Sequence, residues 1–406
     1  MKNPDYKSIT FLSDTPPLKT KGSGISVLLY HMLKALQGNF IINAITFCRE
    51  TKATPTEIEN DNSGTNIYIC DKHLFKFYPL IKFGVFQKAF QFIAFIYSIP
   101  FILKRYNNAQ NVFVTVVGAS VKPICKAWIM MKVARKSTHC LYIVDDLELI
   151  NKKYGNKFEL FLIARFLKET IKQADVLITI SKGLQDLYIK KYNKKSIVLL
   201  PHFKKTSPLL NSLTKNENEF VFLFTGGLNI LYNESLKFFV SVIEELNNKN
   251  NNNLVFKLIV QTYSSFNDFK SLNLNDNYVS YSTSNNRDEL LRVYEKCDCF
   301  LIPYSFAETD YGLITTSFPQ KIAEIIQYGK KLLVFGPANS SVNLFFASNE
   351  INYRCETKSN ALLGETINDI LKNNIDINRY YRAYEKHLSA KNVIHVFDRV
   401  INNEVQ

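Results

Sequence analysis

Short, almost continuously apolar runs alternate with longer helical patterns along most of this sequence. Strands are predicted at 9–12, 41–47, 66–70, 111–117, 139–144, 175–180 and 197–200, and again at 220–224, 254–260, 279–281, 299–302 and 332–335. Runs that are apolar throughout are typical of strands covered by helices on both faces. Repeated alternation of strands and helices predicts parallel sheets with right-handed crossovers, and therefore an α/β protein.

A polar stretch divides this alternation into two series. Residues 204–219 are rich in Ser, Thr and Asn and are the best candidate for a linker. The 406 residues also exceed what one hydrophobic core usually organises. We therefore predict two Rossmann-like domains, an N-terminal one at 1–205 and a C-terminal one at 206–385, with a tail at 386–406. Ligands of such folds bind at the carboxyl ends of strands, so a cleft between the two domains is expected.

The charge of the chain suits an anionic partner. Lys and Arg number 50 against 36 acidic residues, a net charge of +14. The basic residues are interpreted as spread along the sequence, which predicts a generally positive surface. No nucleic-acid-binding motif accompanies them, so no nucleic-acid partner is predicted. The seven Cys form no CxxC pair and the six His are scattered, so neither a disulfide framework nor a metal site is predicted.

One apolar segment, Phe83 to Leu103, is about long enough to span a bilayer. Gln87, Lys88 and Gln91 within it argue against spanning, because amide and charged groups are costly at mid-bilayer. An interfacial helix in contact with anionic lipid and a plain domain helix remain as alternatives. The first residues of the chain contain no apolar signal region, so a cytoplasmic protein is predicted.

The sharpest local signal lies between Ser317 and Glu324. Ser317 and Gln320 predict a capping box, and Pro319 suits the first turn of a helix. The apolar positions that follow define a buried face, and Glu324 is predicted to point away from it. The free amides at this helix start would bind a phosphate, and the carboxylate would accept hydrogen bonds from ribose hydroxyls. An ordinary amphipathic helix with a solvated Glu is the alternative.

Glycine turns follow the first strand of each series. Gly22 and Gly24 lie after one, and Gly226 and Gly227 after the other, where a backbone without side chains can approach a ligand closely. Tight strand-to-helix turns are the alternative. The pair Asp145-Asp146 ends a strand of the first series. One carboxylate is expected to cap the next helix, and the other could act on an acceptor hydroxyl.

These segments together resemble the GT-B glycosyltransferases, specifically bacterial members similar to glycosyltransferase family 4. The resemblance is carried by Pro16 to Gly24, by 174–181 and by 224–228. Its most specific part is 300–304 followed by Ser317 to Glu324 and Gly329, which matches the family element P-S-K-x-x-E-x-x-x-x-G.

The resemblance implies retaining transfer of a sugar from a nucleotide-sugar, without a metal ion or cofactor. It implies that the tail helix packs back on the first domain. The donor would contact Gly226, Gly227, Ser317, Phe318, Pro319, Lys321 and Glu324, with Glu324 on the ribose. Gly22 and Gly24 would bind the acceptor, and Asp146 and Glu308 are the predicted catalytic residues.

With the positive charge and the segment 83–103, the resemblance predicts a saccharide or lipid-linked acceptor in surface polysaccharide biosynthesis. The protein would touch the inner face of the bacterial plasma membrane. Two departures matter: Thr316 stands where the family often has a second Glu, and the usual Arg and Lys after Gly226-Gly227 are missing. Lys321 or Arg287 would then supply the charge. A nucleotide-sugar epimerase and an inactive GT-B-like partner protein are the alternatives.

Overall fold

The chain forms two compact units in a computed structural model that describes residues 7–19, 24–48, 53–73, 84–206, 218–249, 254–284, 286–351, 353–402 and 404. Unit 1 comprises Met1–Lys204 and Ser389–Gln406, and unit 2 comprises Lys205–Leu388. The unit boundaries lie within four residues of those expected from the sequence. Most of the predicted linker lies outside the described residues.

Unit 1 is built on a seven-stranded parallel sheet with the strand order β3-β2-β1-β4-β5-β6-β7. Each strand falls on a predicted run. The strands are β1 (Ser8–Leu12), β2 (Ile41–Thr46), β3 (Asn66–Ile69), β4 (Asn111–Val117), β5 (Thr138–Ile143), β6 (Val176–Thr179) and β7 (Ile197–Val198). Every residue of β4 is buried, as expected for a central strand covered on both faces.

The helices of unit 1 connect successive strands and bury their apolar sides against the sheet. They are α1 (Gly24–Leu36), α2 (Pro55–Asp61), α3 (Gly84–Tyr106), α4 (Lys122–Val133), α5 (Leu147–Tyr154), α6 (Lys157–Gln173) and α7 (Lys182–Tyr192). α3 contributes Phe95 and Ile102 to the core, so it is a domain helix with one buried side. Among the described helices, none combines the length and the apolar character needed to cross a membrane.

Unit 2 repeats the design with a six-stranded parallel sheet in the order β10-β9-β8-β11-β12-β13. Its strands are β8 (Glu219–Thr225), β9 (Val255–Gln261), β10 (Val279–Ser282), β11 (Cys299–Pro303), β12 (Lys331–Phe335) and β13 (Arg354–Cys355). Its helices are α8 (Ile230–Lys249), α9 (Phe266–Lys270), α10 (Arg287–Lys296), α11 (Tyr311–Thr316), α12 (Lys321–Ile325), α13 (Ser341–Ser348), α14 (Asn360–Lys372) and α15 (Ile377–Ala383).

The last helix, α16 (Ala390–Ile401), belongs to unit 1. Its strongly amphipathic sequence buries Val393, Val396, Phe397 and Val400. The ring of Phe397 packs edge-on against Phe11 of β1, with centroids 5.7 Å apart. The tail thus completes the core of the first unit.

Candidate functional site

Polar and glycine residues converge on one edge of the unit 2 sheet. Gly226 and Gly227 follow β8, Tyr263 lies just beyond β9, and Arg287 begins α10 after β10. Because these strands are parallel neighbours, the segments that follow them share the carboxyl edge of the sheet, where ligands of this fold class bind.

A buried carboxylate with two cations lies at this site. The side chain of Glu324 is 3% exposed, and its two oxygens pair with Arg287 and, at 3.0 Å, with Lys321. The Tyr328 hydroxyl donates to the same carboxylate at 3.3 Å. Burial alone would raise the pKa of Glu324, but Lys321 and Arg287 outweigh it and hold the pKa below its usual range. The group therefore carries one negative and two positive charges.

This cluster is connected to the end of β8. Lys321 Nζ lies 3.4 Å from the hydroxyl of Tyr294, a fully buried residue of α10. The same hydroxyl lies 3.2 Å from Thr225 Oγ1, the last residue of β8 before the two glycines. The cations and the glycine turn are thus parts of one site.

The Gly226-Gly227 turn leads into α8, a 20-residue helix with no acidic residue in its first turn. A side chain on Gly227 would clash with the hydroxyl of Tyr263, which is itself 86% exposed. The two glycines therefore place backbone beside Tyr263 at the positive end of a long helix, and such a helix end favours an anion.

The segment around Ser317 corrects two expectations. The predicted capping box does not form: α11 ends at Thr316, and α12 begins at Lys321 without a side-chain cap. The Ser317 hydroxyl contacts the Tyr304 hydroxyl at 3.3 Å instead. Glu324 is also not solvated, because residues 322–328 are all buried. With only five residues, α12 is too short to supply a phosphate site of its own.

Phe318 and Pro319 are less directly connected to the cluster. Phe318 is buried and packs edge-on against Phe345, with ring centroids 5.3 Å apart. The Pro319 carbonyl accepts a hydrogen bond from the Ile322 amide at 3.2 Å. The contact of both residues with a donor stays a prediction.

In unit 1 the adjacent carboxylates Asp145 and Asp146 have different hydrogen-bonding surroundings. Asp146 is the N-cap of α5, and its Oδ1 accepts from the amides of Glu148 and Leu149 at 3.0 Å. This geometry gives Asp146 a structural role, while its predicted catalytic role has no contact to support it. Asp145 has no hydrogen bond or ion pair within the described residues. Its carboxylate lies against Gly118, at the carboxyl end of β4.

The half-buried Asp145 predicts a pH-dependent stability. Burial, and secondarily the charge of Asp146, raise its pKa from 3.8 to about 6. The folded protein thus keeps a proton that the unfolded chain releases, so stability falls between about pH 4 and pH 6. We expect the free energy of unfolding of Asp145→Asn to equal that of the wild type below this pH window. Above the window it should be higher than that of the wild type by about 2 kcal/mol. Urea unfolding across this pH range measures the difference; a constant difference would contradict the assignment.

The remaining predicted residues are dispersed. Glu308 is exposed on a 3-10 turn at 308–310. The Thr316 hydroxyl donates to the Gly312 carbonyl at 2.8 Å. It therefore does not take the place of the second Glu that the family often has at this position. Gly24 is the first residue of α1, and Gly22 lies outside the described residues. Within the described part of the chain, no three His, Cys, Asp or Glu side chains are grouped to hold a metal ion.

The sequence left open whether Lys321 or Arg287 would supply the positive charge for a diphosphate. In the structure both side chains form ion pairs with Glu324. Sequence reasoning missed Tyr294, Tyr328 and Tyr263 altogether. Tyr328 was within reach of the sequence, because it lies four positions after Glu324 on a helical pattern. Arg287 and Tyr294 lie in a different helix, so only the fold brings them to the carboxylate.

No family model matches this chain, and no curated protein matches it significantly. Solved structures do. A lipopolysaccharide outer core galactosyltransferase, WaaB, in its apo form is 13% identical, with a TM-score of 0.63 over 98% of this chain and 99% of that one. S. aureus TarM with fondaparinux, α-GlcNAc-glycerol and UDP is 9% identical, with a TM-score of 0.64 over 98% and 100%.

A third similar structure is a UDP-N-acetylglucosamine 2-epimerase, so described for Listeria monocytogenes, at 9% identity. Its TM-score is 0.58 over 98% of this chain and 97% of that one. At these identities the likeness shows the fold alone. The chain has the GT-B fold, with two Rossmann-like units.

Proposed function

We propose that this protein is a glycosyltransferase that moves a sugar from a nucleotide-sugar to a saccharide acceptor. The observation that carries the proposal is the Arg287–Glu324–Lys321 cluster beside the Gly226-Gly227 turn, at the ligand-binding edge of a GT-B sheet. Structural similarity to WaaB and to UDP-bound TarM supports the choice of substrate class.

The cluster has the charge that a departing nucleoside diphosphate requires. Arg287 and Lys321 are 35% and 41% exposed, whereas Glu324 is nearly inaccessible. Glu324 therefore orients the two cations. The net positive charge of the cluster then faces the ligand. Stabilising the leaving diphosphate by positioned cations and helix-terminal amides would be the main catalytic contribution. This assignment replaces the direct ribose contact predicted for Glu324, since both carboxylate oxygens already have partners.

On the acceptor side we propose Asp145 in place of Asp146. A carboxylate without a partner and with a pKa near 6 is suited to receive a hydroxyl proton near neutral pH. The finer features of the proposal are retention of anomeric configuration, independence of metal ions and cofactors, and a lipid-linked acceptor in surface polysaccharide biosynthesis at the inner face of the plasma membrane. The apolar α3 helix and the positive net charge support the membrane location.

A nucleotide screen tests the proposal. The unfolding midpoint of the purified protein is measured with UDP, GDP, CDP, dTDP and ADP in turn. A ligand at 100 times its dissociation constant stabilises by about 2.7 kcal/mol, which raises the midpoint by several degrees. The nucleotide that does so identifies the donor base, and the corresponding labelled nucleotide-sugars are then assayed for transfer. Failure of all five nucleotides to bind would contradict the proposal.

Gly227→Ala separates ligand binding from folding. The added methyl group meets the hydroxyl, Cζ and Cε1 of the exposed Tyr263 side chain, which can turn away, so the midpoint without ligand should stay within about 2 °C of wild type. The same methyl group narrows the approach to the turn, so the nucleotide-induced shift should be lost. Gly364→Ala, whose new Cβ meets only Leu246 at 3.7 Å, is the matched control. A full nucleotide shift in Gly227→Ala would contradict a phosphate at this turn.

The epimerase alternative has a structural relative at 9% identity. Product analysis decides between the two reactions. A transferase releases free nucleotide in proportion to the sugar transferred, whereas an epimerase returns a nucleotide-sugar with an inverted centre and releases little free nucleotide. An inactive partner protein would give neither product with any donor.

A further inference from the structure

The positive charge of this protein is concentrated in one stretch and is not spread along the chain, as the sequence analysis had assumed. Residues 72–144 contain eleven Lys and Arg and no Asp or Glu. The other 333 residues contain 39 basic and 36 acidic side chains and are almost neutral. Both α3 and α4 lie within this acid-free stretch.

The helices α3, α4 and α6 lie side by side on one face of the unit 1 sheet. Lys122 of α4 donates to Gln91 of α3 at 3.3 Å. On the other side of α4, the rings of Trp128 and Phe166 of α6 lie 5.2 Å apart. Since their inner sides pack on the same sheet, the outer sides of these three helices form one continuous surface.

That surface carries most of the exposed apolar side chains of unit 1. Nine of the nineteen large hydrophobic residues that are exposed in the described residues lie on α3, α4 and α6, and a tenth, Tyr154, ends α5. On α3, Phe90, Ile93, Tyr97 and Phe101 follow helical spacing and are 41%, 46%, 82% and 39% exposed. Tyr154 at the end of α5 and Phe158 and Phe161 of α6 are 60%, 67% and 63% exposed.

Cations surround these apolar groups, and acids are few. Lys104 and Arg105 end α3, and Lys157, Arg165 and Lys168 are exposed on α6. Of the two acids on α6, Glu169 is paired with Arg165 at 3.4 Å and with Lys132 at 3.5 Å, and Glu159 is the other. Aromatic side chains among cations that outnumber the acids match the headgroup region of an anionic bilayer.

We propose that the outer surface of α3, α4 and α6 docks on an anionic lipid bilayer, with α3 lying in the membrane plane. This deepens the membrane location in the proposed function by naming the surface and adding α6 to it. The docking does not itself depend on sugar transfer. A surface on which Ile93 and Ile96 are 46% and 42% exposed fits acyl chains better than a nucleic-acid backbone, which would call for cations at these positions.

Co-sedimentation with vesicles tests the proposal on the full-length protein. We expect binding to vesicles of phosphatidylcholine and phosphatidylglycerol in equal parts, and at least about tenfold weaker binding to phosphatidylcholine alone. The double variant Tyr97→Ser with Phe161→Ser removes two side chains that are mostly exposed, so folding is retained. Its affinity for the mixed vesicles should fall about tenfold or more. The affinity of the double variant Lys104→Gln with Arg105→Gln for the mixed vesicles should fall by a similar factor.

The matched control is Leu344→Ser with Leu362→Ser, two apolar residues of unit 2 that are 49% and 46% exposed. Its vesicle binding should equal that of the wild type. The proposal is overturned if the wild type binds neither vesicle, if the Tyr97 and Phe161 variant binds like the control, or if the same variant loses binding to RNA or DNA instead. The nucleotide-induced thermal shift should persist in all these variants, so failure of docking and failure of the proposed function are distinguishable.

Discussion

Replacing Lys126 with methionine is expected to lower the free energy of unfolding by about 3–5 kcal/mol, because it leaves a buried carboxylate without its counter-charge. Lys126 of α4 is 1% exposed and pairs with Asp14, whose side chain is 8% exposed. Its ammonium also lies 3.5 Å from the centroid of the Phe47 ring. The other oxygen of Asp14 has no partner within the described residues, so nothing in the structure compensates for loss of the lysine.

A surface pair provides the control. Lys72 and Glu59 lie 2.7 Å apart but are 48% and 46% exposed, so Lys72→Met should cost less than about 1 kcal/mol. Thermal unfolding should show a midpoint lowered by roughly 10 °C for Lys126→Met and by a few degrees at most for Lys72→Met. The double variant Lys126→Met with Asp14→Asn should recover much of the loss. Equal midpoints for the two single variants would show that the buried pair contributes no more than the exposed one.

The largest expected effect on activity comes from Glu324→Gln, which keeps the shape of the side chain and removes its charge. Without the carboxylate, Arg287 and Lys321 lose the partner that orients them, and they repel each other. We expect kcat/KM for the nucleotide-sugar to fall by about 10²-fold or more, comparable with loss of one transition-state donor in other enzymes. Initial rates over a range of donor concentrations separate the effects on kcat and KM.

Glu289→Gln is the matched control, since it removes the same charge from an exposed position of α10 two residues after Arg287. Its kcat/KM should stay within about threefold of the wild type. Arg287→Gln should be as impaired as Glu324→Gln, and the double variant little worse than either, because the two groups act as a unit. Wild-type rates in Glu324→Gln, or additive losses in the double variant, would refute this arrangement.

The architecture was predictable because strand position depends on local pattern. The continuous apolar runs at 111–117 and 299–302 are strands with nearly the predicted bounds, since central parallel strands have no polar side. For residues 318–328 a prediction from the same kind of local pattern was wrong. Their helical spacing implied one buried and one solvated side, but residues 322–328 are all buried, so spacing carried no information about Glu324.

The site itself was only partly predictable. The glycines after β8, Lys321 and Glu324 could be proposed from the sequence because turns and short motifs are local, and their contact with a ligand stays a prediction. The ion pair between Arg287 and Glu324 joins residues 37 positions apart, and no local pattern records such a pairing. The sequence also could not show which of the two adjacent carboxylates caps α5, because only the backbone direction makes Asp146 that residue.

The position of α16 determines the order in which the two units can be completed during synthesis. Unit 2 is one continuous stretch, Lys205–Leu388, and holds all its own strands once its last residue has left the ribosome. Unit 1 starts earlier in the chain but lacks α16, and with it the hydrogen bond from Lys7 to Asn402, until the whole of unit 2 has been translated. The unit that starts first is therefore completed after the other, and the apolar surface that α16 covers is accessible to chaperones while unit 2 is being made.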